Sequence, residues 1–219
     1  MNSHINKTCS LAFYYLYNIR KIRKYLSRET TEMMIHAFLS SRIDYCNSLL
    51  FGLPAYQIHK IQRVQNAAAR LIYSESKYCR ITPLLYNLHW LPVTFRIEFK
   101  ILLLIFKALK GFAPGYITEL INIKNEGRYR LRSNSNGILL KCVNFKTYKT
   151  FGDRSFMVAA PNLWNNLPLE IRKAPNIDNF KKLLKTFLFK KAFLIYTEGL
   201  IRLYFTLSFI LVVFNLLLC

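Results

Sequence analysis

Three side chains stand in a row with the look of chemistry: Asp153, Arg154 and Ser155, inside the stretch FGDRSFMVAAPNLWNNLP. An acid, a cation and a hydroxyl could serve nucleophilic attack or proton transfer. A serine nucleophile, however, needs an adjacent base, and neither a His nor a Lys shares the stretch. The enzymatic reading therefore ranks last. The structural alternative is that Gly152 permits a turn after a short strand while Asp153 and Arg154 satisfy backbone groups or each other.

Other chemistry-bearing residues are scattered. Asp44 in SRIDYCN lacks the second Asp that a two-metal centre requires, so it is expected to make a helix-end hydrogen bond, with Arg42 or with backbone. His4, His36, His59 and His89 form no set with metal-ligand spacing and share no motif with a candidate nucleophile. The cysteines, Cys9, Cys46, Cys79, Cys142 and Cys219, are odd in number and far apart, which fits reduced intracellular thiols and neither a zinc site nor a disulfide framework. A Gly-rich phosphate loop is absent.

Charge carries more information than any of these. Lys and Arg number 32 against 11 Asp and Glu, for a formal charge of +21 spread along the chain. Such an excess favours a polyanion or an anionic membrane surface as partner. A hydrophobic content of 53% is ample for a core and excludes disorder over most of the 219 residues.

The elements that must position these charges are mostly helical. Leu11 to Leu26 is apolar and aromatic first, then basic through Arg20, Lys21, Arg23 and Lys24. Ser27 caps a second helix with Glu29 in its first turn, running through Met33, Ile35, His36, Phe38, Leu39 and Ile43 to about Phe51–Gly52. Pro54 opens a third, on which Ile58, Ile61, Gln65, Ala68 and Ile72 form an apolar stripe while Lys60, Arg63 and Arg70 fall on other faces. Thr82–Pro83 starts a short helix. Val93 to Lys110 makes a longer one, apolar almost all round and so expected to be buried, and Pro114 to Ile121 adds another short turn.

The stretch 122–137 is polar and basic, through Lys124, Arg128, Arg130 and Arg132, and forms the best internal boundary. Beyond it GILLKCVNF and KTYKTFG read as the strands of a short hairpin. APNLWNNLP leads into a bend anchored by Trp164, and in LHWLPV and LWNNLP the residues Trp90 and Trp164 read as packing anchors followed by Pro-defined turns. Ile177, Phe180, Leu183, Leu184, Phe187 and Leu188 then recur at helical spacing opposite Lys181, Lys182 and Lys185. From Leu203 to Cys219 no charge occurs, and Lys190, Lys191 and Arg202 precede the run. This tail is a candidate transmembrane helix that would anchor the chain with its domain in the cytosol; a core helix or a translated non-coding extension is the alternative.

Six stretches, taken in order, also carry a family resemblance: YYLYNIRKIRKYLS, SRIDYCNSLLFGLP, IHKIQRVQNAAARLIY, ITPLLYNLHWLPVTFRIEFKILLLIFKALKGFAPGYITEL, FGDRSFMVAAPNLWNNLPLEIR and NFKKLLKTFLFKKAF. Over Cys9 to Phe193 they closely resemble the carboxyl-terminal part of reverse transcriptases from non-LTR, jockey-like retrotransposons. In that family the region follows the catalytic palm, whose paired aspartates in a Tyr-x-Asp-Asp motif bind the metals. The resemblance implies a chain that begins after the palm, with no counterpart of those aspartates and without the family's endonuclease domain. Where the family usually has a Pro and a basic residue after its LLV-type strand, this chain departs with Lys141–Cys142. The apolar tail after Phe193 is a second departure.

The expected architecture is therefore mainly α: a helical thumb-like bundle over 9–121, the basic linker 122–137, a small α+β region with a short β-hairpin over 138–193, and a hydrophobic tail over 200–219. The expected function is that of a non-catalytic fragment of an RNA-directed DNA polymerase with residual, nonspecific affinity for RNA or DNA backbone. No cofactor, metal or small-molecule substrate is expected. By the resemblance the thumb-like helices would lie against a primer–template duplex, where Arg20, Lys21, Arg23, Lys24, Lys60, Arg63 and Arg70 could meet phosphates. Tyr14, Tyr15 and Tyr17 could stack on bases, although core packing is the preferred expectation for them. The alternative function is a tail-anchored protein whose helical module makes cytosolic interactions. Localisation follows the tail: membrane if it inserts, otherwise cytoplasm or nucleus.

Overall fold

A computed structural model of the chain describes residues 1–124, 138–142 and 152–194, and these are mainly α-helical. The hydrophobic tail lies outside the described residues. Among those described, no helix is long and apolar enough to cross a membrane.

The first layer is three strokes of chain. Helix α1 spans Asn2–Ile22 and continues through a 3₁₀ turn at Arg23–Tyr25. It begins well before the apolar run at Leu11, because Ile5, Cys9 and Ala12 extend the buried stripe of Leu16 and Ile19 into the polar amino-terminal turns. Ser27 accepts from the Thr30 N–H and caps α2 (Arg28–Ile35); the carboxyl of Glu29, in the first turn, is held below its ordinary range by backbone and Ser27 hydrogen bonds. A π-helical segment, His36–Ser40, joins α2 to α3 (Ser41–Asp44). The helical stroke thus stops at Asp44, short of Phe51–Gly52: Cys46 turns left-handed (φ 50°) and a 3₁₀ turn follows at Asn47–Leu50.

Helix α4 (Ala55–Tyr73) lies beside α1. Tyr56 is hydrogen-bonded to Asn2, Lys60 to Asn6, and Arg23 reaches Leu71 and Ile72, so α1 and α4 run in the same direction. The α2–α3 stroke between them returns the chain, with Arg28 at Tyr73 and Phe38 stacked on Tyr15 at 5.3 Å.

The second half packs around α6 (Val93–Leu109), after the short α5 (Ile81–Asn87). Gln65, the polar member of the α4 stripe, is 3% exposed and donates to the Leu91 carbonyl at 2.9 Å, while Gln62 accepts from the Val93 N–H at 2.9 Å. Two glutamines thus dock the start of α6 on α4. A single turn, α7 (Gly115–Thr118), follows.

Helix α8 (Phe156–Asn165), with Pro161 inside it, is not among the expected elements; the bend after buried Trp164 follows it, with Leu167 N–H donating to the Trp164 carbonyl at 3.1 Å. After α9 (Leu169–Arg172) a last helix, α10, covers 177–194. It runs antiparallel to α6, since Phe180 stacks on Phe106 at 4.2 Å while Lys191 pairs with Glu98 at 3.7 Å. Trp164 stacks on the other side of Phe180 at 5.9 Å.

Of the expected hairpin, residues 143–151 lie outside the described chain. The described part, 138–142, pairs antiparallel with the first residues of the basic stretch: Lys124 N–H donates to Leu139 O (2.9 Å) and Lys141 N–H to Asn122 O (2.8 Å), around the Ile123–Leu140 bridge. Asn165 completes this short ladder from the side, accepting from Leu140 N–H and donating to Leu140 O.

Candidate nucleic-acid interface

Helices α1 and α4 contain no Asp or Glu between them. Arg20, Lys21, Lys24 and Arg63 are exposed, and among the described residues none of them pairs with a carboxylate. Asn6, Phe13 and Arg20 recur at seven-residue intervals and so share one flank of α1; Lys60 of α4 donates to Asn6 at 2.9 Å, which puts that flank beside α4. Lys60 and Arg63 also lie near the Cys9 thiol, which burial pushes up and these two cations pull down. The seam between the parallel helices is thus lined with positive charge.

Two of the seven expected cations do something else. Arg23 is half-buried, and its guanidinium donates to three carbonyls: Nε to Leu71 O (3.0 Å), Nη2 to Ile72 O (2.7 Å) and Nη1 to Leu26 O (2.8 Å). Leu71 and Ile72 belong to the last turn of α4, where unpaired carbonyls and the negative end of the helix dipole favour a cation. Arg70, through Nε and Nη2, holds the Cys79 carbonyl at 3.3 and 3.0 Å and so closes the loop after α4. Both are internal ties. The α4 partners of Arg23 lie 48 and 49 residues away, a separation invisible to any local sequence signal.

The tyrosines also depart from the core expectation. Tyr14 and Tyr17 are 60% and 58% exposed, and the Lys21 ammonium lies 4.5 Å from the Tyr17 ring centre. Tyr15 alone is half-buried, between Phe38 and the Arg42 guanidinium. Exposed rings interleaved with cations suit base stacking as well as phosphate contact.

In the Asp153–Arg154–Ser155 triplet, Arg154 and Ser155 make hydrogen bonds that shape the chain. Arg154 Nε donates to the Phe51 carbonyl at 3.2 Å, tying α8 to the turn before α4. Gly52 is needed there twice over: its φ is +67°, and a Cβ would come within 2.5 Å of Arg154 Cγ. Ser155 Oγ donates to the Gly152 carbonyl at 2.8 Å, which closes the turn that precedes α8.

Asp44 does make a helix-end hydrogen bond, but its partner is neither Arg42 nor backbone. It accepts from Arg96 Nη1 at 2.9 Å and from Asn47 at 3.3 Å, while Arg42 turns to Tyr15. Among the described residues no group of His, Cys, Asp or Glu could hold a metal ion, and Cys9, Cys46, Cys79 and Cys142 are free thiols. Compared with family models, curated proteins and solved structures, the chain matches none.

Proposed function

We propose that this chain is a non-catalytic nucleic-acid-binding module, the thumb-like remnant of a retrotransposon reverse transcriptase, that grips RNA or DNA through its phosphates. The observation that supports it is a pair of adjacent, parallel helices free of carboxylates, along which Arg20, Lys21, Lys24 and Arg63 are exposed and Lys60 flanks the seam. Binding of this kind is independent of sequence and releases condensed counterions, so affinity falls steeply with salt. Arg23 and Arg70 support the helices that carry the contacts.

Fluorescence anisotropy of the full chain with a labelled duplex, measured across a salt series, tests the reading. Each phosphate contacted contributes about 0.9 to the slope of log affinity against log salt on B-DNA. The combined Arg20→Gln, Lys21→Gln, Lys24→Gln and Arg63→Gln variant is expected to flatten the slope by about 2 to 4. A wild-type affinity indifferent to salt, or a variant that keeps the full slope, overturns it.

A second reading, a cytosolic module tethered by its tail, rests on the uncharged run from Leu203 to Cys219 behind Lys190, Lys191 and Arg202. The two readings are compatible.

A further inference from the structure

Away from the α1–α4 seam, a cleft of about 440 Å³ opens between the α2–α3 stroke, the turn entering α6, and α10. Its volume lies in the range of small-ligand sites. One wall is a polar row at four-residue spacing, Glu32, His36, Ser40 and Asp44. In an unbroken α-helix each such step overshoots a full turn by about 40°, so Asp44 would be carried roughly 120° round from Glu32. The wider turn at His36–Ser40 takes back part of that rotation and keeps the row facing one cleft. Single π turns inside helices are frequent at functional sites.

The facing wall comes from α6 and α10. Trp90 and Phe99 form its apolar part, with the His36 ring edge-on to Trp90 at 5.4 Å. Arg96 already commits Nη1 to Asp44 and Nε to the Leu91 carbonyl. Lys100 and Lys185, exposed in the same cleft, make no hydrogen bond or ion pair among the described residues. The antiparallel register of α6 and α10 brings them to the same level.

We propose that this cleft binds a phosphate monoester, with the phosphate between Lys100 and Lys185 and the organic body against Trp90 and Phe99. Two free ammonium groups are compact point charges, which fit a dianionic phosphate. A planar carboxylate is better matched by a guanidinium fork, and the fork of Arg96 is in use. Glu32, across the cleft, supplies an acceptor for hydroxyl or amino groups on the ligand body. A mononucleotide has this chemistry, and so does the 5′-phosphorylated end of a strand. The site is separate from the α1–α4 cations and does not rest on their binding nucleic acid.

Titration of the full chain with a nucleoside 5′-monophosphate, the parent nucleoside, and a short oligonucleotide with and without its 5′-phosphate tests this, read by isothermal titration calorimetry. The monophosphate is expected to saturate and the nucleoside to give no signal. Tighter binding of the phosphorylated than of the unphosphorylated oligonucleotide, lost on Lys100→Gln with Lys185→Gln, assigns the cleft to strand ends; equal binding of the two assigns it to free nucleotides. Lys100→Gln with Lys185→Gln should weaken monophosphate binding about tenfold or more. Lys182→Gln with Lys190→Gln, which removes as much charge from α10 outside the cleft, should leave it unchanged. Equal weakening in both double variants, saturation by the nucleoside, or no saturation by the monophosphate overturns the proposal. The Arg20, Lys21, Lys24 and Arg63 variant should bind the monophosphate normally, so failure here is distinguishable from failure of the duplex reading.

Discussion

Arg23 and Lys24 are adjacent in a basic run and do different work. The Arg23 guanidinium fastens the end of α1 to the last turn of α4 through three carbonyls, while the Lys24 ammonium lies over the Tyr25 ring at 4.7 Å in the open. Removing Arg23 strands carbonyls at a helix end, and hydrogen bonds to a charged group contribute about 1.5 to 3 kcal/mol. Arg23→Ala is therefore expected to lower stability in a urea titration by about 2 kcal/mol, and Lys24→Ala by less than about 0.5 kcal/mol. Equal, small effects would mean that the α4 carbonyls find water as readily as they find Arg23. From sequence the two cations look alike, because charge and spacing report a helix face and say nothing of what packs against it. Asp44 teaches the same lesson: its helix-end role is legible, but its Arg96 partner lies 52 residues away.

At the scale of elements, periodicity located α4, α6 and α10 closely, since each carries a buried stripe at helical spacing. It missed α8. Pro161 lacks the N–H that a helix interior uses, so local propensity speaks against a helix there. The helix forms nonetheless because Ala159, Ala160 and Trp164 bury one face, and Trp164, 1% exposed, donates from Nε1 to the Ile138 carbonyl. Tertiary burial outweighs one lost backbone bond. The stack of Phe106, Phe180 and Trp164 joins α6, α10 and α8, so it is the point on which the second half depends. Phe180→Ala, at a site with no exposure, should cost about 3 to 5 kcal/mol, whereas Leu183→Ala, 42% exposed on the same helix, should cost less than about 1 kcal/mol. Thermal or urea unfolding of the pair of variants measures the contrast; a Phe180 variant as stable as the Leu183 variant would remove the stack from the core.

Over the whole molecule, the charge of +21 is unevenly distributed among elements. The described ion pairs draw their acids from α2, α3, α6 and α10, whereas α1 and α4 carry cations and no acid. On the second reading proposed above, the tail would tether the chain to a membrane. If Leu203 to Cys219 inserts, alkaline carbonate washing of membranes from cells making the full chain should leave it in the pellet, while release into the supernatant excludes an integral helix.

By itself the sequence determined the helical class, the apolar stripes and the excess of positive charge. These are properties of composition and of local period, and a helix repeats every 3.6 residues wherever it is placed. Only the tertiary structure decided which cations are ties and which face outward, that Arg154 braces the Phe51 turn, and that a π turn lines up Glu32, His36, Ser40 and Asp44 opposite Lys100 and Lys185. The physical reason is the same in each case. A hydrogen bond or a cleft joins residues far apart in the chain, and their meeting depends on how helices stack, which no local pattern of residues encodes.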